Sequence, residues 1–150
     1  MSFTKIYLHC VFATKNREKI LKSENDIRIQ NYIKSIFEDS SRDCHVLAIN
    51  NVQDHIHILF SLNPKYSISK LIQEVKGLSS KFINDNHLCD KKFSRWKWYW
   101  CFSYAESQID TVKKYIKNQK EHHKQYDFEK EYKDILDKFH VNYDEKYLFD

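Results

Sequence analysis

Four stretches of two-residue alternation, interleaved with two of helical spacing, restrict this chain more than any other feature. A strand puts residues i and i+2 on one face, whereas a helix gathers i, i+3 and i+4. From Phe3 to Thr14, Ile6, Leu8, Cys10 and Phe12 alternate with Tyr7, His9, Val11 and Ala13. Both sets are largely apolar, so this strand is expected to be central. A helix is predicted from about Glu24 to Asp39, with Ser23 as N-cap and Ile29, Ile33, Ile36 and Phe37 as its buried face. Cys44 to Asn50 and Val52 to Leu62 read as two strands joined by a tight turn, the second ended by Pro64. Ser67 can cap another helix, with Leu71, Ile72, Val75, Leu78 and Phe82 as its stripe. The aromatic stretch Trp96 to Tyr104 is a fourth strand, and helices are predicted over about Ser107–Lys124 and Phe128–Phe139. The order is βαββαβ with two appended C-terminal helices. This is an α+β, ferredoxin-like or RRM-like pattern: an antiparallel sheet with helices on one face and the other face left for a ligand or a second subunit.

The punctuation is sparse. The 150 residues contain one glycine, Gly77, and one proline, Pro64. A single domain over 1–150 is expected. No Gly-rich phosphate loop exists, which excludes P-loop and dinucleotide-binding readings and with them a nucleotide cofactor. No apolar run approaches the ~20 residues of a membrane span, and the N-terminus lacks a signal-peptide pattern, so a cytoplasmic protein is expected. Cys10, Cys44, Cys89 and Cys101 include no C-x-x-C pair. A structural zinc site is not indicated, and reduced, partly buried thiols are expected.

Charge is unevenly spread. The chain carries +4 overall, but residues 127–150 hold four lysines against eight carboxylates. The remainder therefore carries +8, which suits a phosphate-rich ligand and equally suits a lysine-rich solvated surface.

The segment Asp54-His55-Ile56-His57-Ile58-Leu59-Phe60 is the most informative. Its period puts His55 and His57 on one face and Ile56, Ile58 and Phe60 on the other. Two imidazoles so placed can converge on one cation, although two ordinary histidines on a solvated sheet face would read the same way. In the third helix, Tyr115 and Gln119 fall at i and i+4 beside the stripe Ile109, Val112 and Ile116. A tyrosine at the edge of such a stripe packs its ring and presents its hydroxyl, whether or not it has a chemical role.

The pieces combine chemically. A phenol with a free pKa of about 10 becomes a better nucleophile near a divalent cation, which also polarises a phosphate oxygen. A tyrosine–phosphate link conserves the bond energy, so a strand can be rejoined without ATP. His, His and Gln would be neutral ligands that leave positions open for phosphate oxygens, an N/O set suited to Mg²⁺ or Mn²⁺.

Several separated motifs give this reading its specificity. They are Phe12-Ala13-Thr14-Lys15-Asn16-Arg17, Asp54-His55-Ile56-His57-Ile58-Leu59, Lys76-Gly77-Leu78-Ser79-Ser80-Lys81-Phe82-Ile83-Asn84 and Tyr115-Ile116-Lys117-Asn118-Gln119-Lys120-Glu121-His122-His123. The tail Tyr143-Asp144-Glu145-Lys146-Tyr147-Leu148-Phe149-Asp150 fits as well. In this order they resemble the single-tyrosine HUH transposases of the insertion-sequence 200/605 type, including the REP-associated tyrosine transposases. The resemblance spans nearly the whole chain. It departs at one place: members usually carry Gly-Tyr before the fourth strand, where this chain reads Trp98-Tyr99.

The resemblance implies roles. His55, His57 and Gln119 would hold the metal. Tyr115 would be the nucleophile that takes a 5′-phosphate and frees a 3′-hydroxyl. The substrate would be single-stranded DNA marked by a hairpin at each element end. The protein would be a homodimer in which one subunit's tyrosine helix can complete the other's site. Lys15, Arg17, Lys76, Lys81 and Arg95 are candidate phosphate contacts; Trp96, Trp98 and Trp100 are expected first as core or dimer packing, with a stacking platform for unpaired bases as the alternative. His122 and His123 are expected as a solvated pair. Two other readings compete. A relaxase-type HUH nickase uses the same chemistry, but usually within a larger protein. A non-catalytic RRM-like binding module would need the RNP aromatic pattern, which this chain lacks.

Overall fold

The computed structural model describes residues 3–124 and 127–148. The chain forms two compact units, Met1–Gln119 and Lys120–Asp150. The first is built from β1 (Tyr7–Thr14), α1 (Asp26–Glu38), β2 (His45–Asn51), β3 (His55–Ser61), α2 (Ile68–Asp85), β4 (Trp96–Tyr104) and α3 (Ile109–Lys117). A single turn, α4 (Gln119–His122), follows, and α5 (Phe128–Lys138) is the helix of the second unit. No helix among the described residues is long and apolar enough to cross a membrane.

The four strands pair antiparallel in the order β2-β3-β1-β4, the ferredoxin-like order expected for βαββαβ. β1 and β3 are therefore interior, as their two-sided apolar composition requires. The period-2 alternation sorts side chains onto two faces. Cys10, Phe12, Ile56, Ile58 and Phe60 join Ile29, Ile33 and Phe37 of α1 and Leu71, Ile72, Val75 and Ile83 of α2 in the main core. Each such side chain contributes roughly 1.5–3 kcal/mol by leaving water. Trp96 is 2 % exposed in this core, and its indole N–H donates to Ser79 Oγ at 2.9 Å.

The opposite face is not left free. Ile109, Val112 and Ile116 of α3 pack on it against Ala48 and Leu59. The amphipathic stripe of α3 needs an apolar partner, and the half of the sheet over β2 and β3 supplies it.

Other boundaries also shift. Ser23 does not cap α1; it opens a 3-10 turn, Ser23–Asn25, and Asn25 occupies the cap position without a side-chain bond. Ser67 does cap α2, accepting from the Lys70 N–H at 3.2 Å. Leu78 proves exposed, and Ser79 takes its place on the buried face. The long helix expected up to Lys124 ends at Lys117. β4 keeps its expected bounds, Trp96–Tyr104, with Trp98 and Tyr99 inside it.

Nor do all four cysteines remain thiols. Cys10 and Cys101 face each other at one register position of β1 and β4 and form a disulfide across 91 residues. Cys44 and Cys89 are free.

Candidate active site

His55 and His57 project from the interior strand β3 onto the face covered by α3. Both are 0 % exposed, so the solvated alternative fails. Their ring centroids lie 5.2 Å apart, and each offers a nitrogen within 4.8 Å of the other's. A divalent cation can be held at that separation. His55 Nδ1 is 2.7 Å from Asp54 Oδ1. A carboxylate only accepts, so it keeps the proton on Nδ1 and leaves Nε2 as the nitrogen that could ligate. Asp54 is steadied in turn, because its carbonyl accepts the Thr14 N–H at 2.9 Å.

Tyr115 comes to the same place. Its ring stands edge-on to His57, with centroids 5.8 Å apart and planes at 78°. The ring packs at the margin of the Ile109, Val112 and Ile116 cluster, as the helical register requires. Asn50, at the end of β2, secures that helix. Its Nδ2 donates to the carbonyls of Ile116 at 2.9 Å and Lys117 at 3.2 Å in the last turn of the helix, where carbonyls outnumber the N–H groups of the helix. The neighbouring Asn51 is tied to α1, accepting from Gln30 at 2.6 Å and donating to Asp26 at 2.8 Å.

Gln119 reaches its position differently from the sequence expectation. Asn118 breaks the helix, and Gln119 begins α4 instead of continuing α3. The i, i+4 relation survives as a hydrogen bond from Gln119 Nε2 to the Tyr115 carbonyl at 3.4 Å. Gln119 is fully buried, and among the described residues its Oε1 has no hydrogen-bond partner. A buried carbonyl oxygen left unpaired costs about 1–3 kcal/mol, and a cation is one group that would satisfy it. Two imidazoles and one amide oxygen would together be a donor set suited to a hard-to-borderline divalent metal.

The candidate phosphate contacts divide. The end of β1 at Thr14 pairs with Trp96 at the start of β4, and Ala13 lies opposite His55. Lys15, Arg17 and Arg95 therefore gather at the His55 end of the sheet. Asn16 and Arg17 both adopt left-handed backbone angles, φ 55° and 54°, which non-glycine residues rarely hold in succession. Lys76 joins them, bonding the Lys97 carbonyl at 3.3 Å and lying 4.9 Å from the Tyr99 ring centre. Lys81 does not join: it is paired with Asp85 at 2.5 Å on the exposed face of α2.

Burial, with Arg95 nearby, pushes the Lys76 ammonium down to about 8 from an ordinary 10.5. Between these values the folded chain sheds a proton that the unfolded chain keeps, so this group adds stability as pH rises through 8. Lys76→Met is expected to flatten the rise in melting temperature between pH 7.5 and 10 relative to the parent. An unchanged slope in parallel thermal melts would contradict it.

Among the described residues, the tryptophans follow the packing expectation. Trp96 is in the core, and Trp100, 4 % exposed, lies against His9 and His57. The side chain of Trp98 lies outside the described residues. His122 and His123 are not a solvated pair either. Within the second unit both reach the buried carboxylate of Glu131, at 3.1 and 3.0 Å.

One neighbour of the site was not anticipated. His9 of β1 is 1 % exposed, and its Nε2 is 2.8 Å from His57 Nδ1. The local period shows which face His9 occupies, but not which strand lies beside it.

Comparison with known proteins places this geometry. Residues 2–119 match the family described as "Transposase IS200 like". The chain belongs to the IS200-like transposase family. It is a DNA strand transferase. The transposase for insertion sequence element IS200 of Salmonella typhimurium is 32 % identical over 124 residues, covering 77 % of this chain and 78 % of that protein. The ISDra2 transposase TnpA of Deinococcus radiodurans is 25 % identical over 118 residues, covering 74 % of this chain and 81 % of the relative. Two solved structures share the transposase's fold. One, from Deinococcus radiodurans R1 and assigned as a transposase, has a TM-score of 0.58 at 20 % identity, covering 79 % of this chain and 93 % of its own. The other is a REP-associated tyrosine transposase bound to a REP hairpin, with a TM-score of 0.56 at 16 % identity, covering 82 % and 72 %.

Proposed function

We propose that this transposase cleaves and rejoins single-stranded DNA at hairpin-marked ends through a 5′-phosphotyrosine link on Tyr115. The observation that carries the reading is the position of the Tyr115 ring, edge-on to His57 within a buried histidine pair. Tyr115 Oη attacks phosphorus, the bond from phosphorus to the 3′-oxygen breaks, the phenol gives up its proton, and the departing oxygen gains one. Attack by a 3′-hydroxyl on the phosphotyrosine reverses the step and joins a new strand. His55, His57 and Gln119 would hold Mg²⁺ or Mn²⁺, which would polarise the phosphate and favour the phenolate.

Lys15, Arg17, Lys76 and Arg95 supply the positive rim along which the DNA backbone would run. Hairpin recognition is supported by the REP-bound structural neighbour, whose fold this chain shares. The working form is a homodimer acting in the cytoplasm over residues 1–150. Light scattering should read twice the chain mass; a strict monomer would oppose the dimer.

The decisive experiment incubates the protein with Mn²⁺ and fluorescent single-stranded hairpin oligonucleotides cut from the DNA flanking its gene. An adduct that survives denaturing electrophoresis and maps by mass spectrometry to Tyr115 is expected. An adduct on another residue, or strand cleavage with none, would overturn the assignment.

A further inference from the structure

We infer that His9 is a positioning residue for the metal centre, accepting the His57 Nδ1 proton so that His57 Nε2 faces the ion. The inference rests on the proposed metal-binding reading of His55 and His57.

His9 stands on the sheet face that carries both histidines. Its register partner is Leu59, one pleat along from His57. The two rings stack at 5.0 Å and 29°, with His9 Nε2 2.8 Å from His57 Nδ1. The hydrogen bond has two possible senses. If His57 Nδ1–H donates, His57 Nε2 keeps its lone pair and can ligate. If His9 Nε2–H donates, a neutral His57 must carry its proton on Nε2 and cannot. Ligation therefore selects the first sense, with His9 in its Nδ1–H tautomer.

The two metal-facing histidines are thus held unlike each other. His55 is held by the Asp54 carboxylate, which can only accept. His57 is held by an imidazole, which could do either. Orientation of the His9 ring then matters, and two rings constrain it. Trp100 meets it edge-on at 5.0 Å and 78°, and Tyr115 at 6.2 Å and 75°. The same side chain consequently touches a metal ligand and the nucleophile's ring. Groups that hold a ligating histidine from behind typically change metal affinity about 10–100-fold when removed.

The test is Mn²⁺ titration calorimetry on the full chain, comparing the parent with His9→Leu, His9→Gln and His57→Ala. His9→Leu should weaken Mn²⁺ by about 10–100-fold. His9→Gln, whose Oε1 can reach the acceptor position, should recover most of that loss. Parental affinity in His9→Leu would overturn the inference. Equal weakness in both variants would also overturn it, because packing alone would then explain the loss. If His9→Leu fails to fold by circular dichroism, ¹⁵N spectra of the histidine rings in the Mg²⁺-loaded parent decide. A proton on His57 Nδ1 and none on His9 Nε2 is expected, and the reverse would refute it. Equal binding by the parent and His57→Ala would instead defeat the metal reading itself.

Discussion

Tyr115→Phe should abolish the covalent DNA adduct and lower strand cleavage by on the order of 10³-fold or more, leaving hairpin binding and the melting temperature near parental values. The substitution deletes one oxygen and keeps the ring. That ring is what packs beside Ile109, Val112 and Ile116 and stands against His57, so these ring contacts are kept. Denaturing gels with labelled oligonucleotide read the adduct, and gel shift reads binding. Residual cleavage at the parental rate would mean that water or another of the ten tyrosines performs the attack.

The second large effect is expected at His57. His57→Ala should lower Mn²⁺ affinity by about 100-fold or more, and cleavage should fall with it. His55→Ala should behave alike, since the two nitrogens lie within 4.8 Å and would share one ion. His57→Ala also leaves a cavity in a fully buried site and removes the partner of His9 Nε2, so a loss of about 1–3 kcal/mol in stability should accompany it. Calorimetry separates the two effects, because a folded variant with parental Mn²⁺ affinity would exclude His57 as a ligand. Mixing Tyr115→Phe with His57→Ala addresses where the tyrosine acts. If each chain uses its own Tyr115, as the 5.8 Å approach to its own His57 suggests, the mixture stays inactive. Restored cleavage would place the tyrosine in the partner's site.

Much of this arrangement was readable without coordinates, because local periodicity reports which face a residue occupies. Alternation in β3 placed His55 and His57 together, away from Ile56, Ile58 and Phe60. Helical spacing placed Tyr115 at the edge of its stripe. Periodicity does not report what lies across from a face. The His9–His57 bond and the Cys10–Cys101 disulfide both depend on the registers of β1 with its neighbours, set by residues 48 and 91 positions away. The covering of the histidine face by α3 was hidden for the same reason. The helix break at Asn118 escaped because neither glycine nor proline marks it. Polar residues continue on both sides, and the Asn50 amide takes the carbonyls of Ile116 and Lys117 just before the break.

That Asn50 contact has a consequence for how such a chain can change over generations. The tyrosine helix is not an interchangeable module. Its last carbonyls are held by Asn50, whose neighbour Asn51 is bonded to Gln30 and Asp26 of α1. The aim of Tyr115 is thus a joint property of residues 26–30, 50–51 and 115–117. A chimera that carries α3 into a relative lacking Asn50 would present the tyrosine without the mount that points it. One that carries all three segments should keep the tyrosine's aim intact.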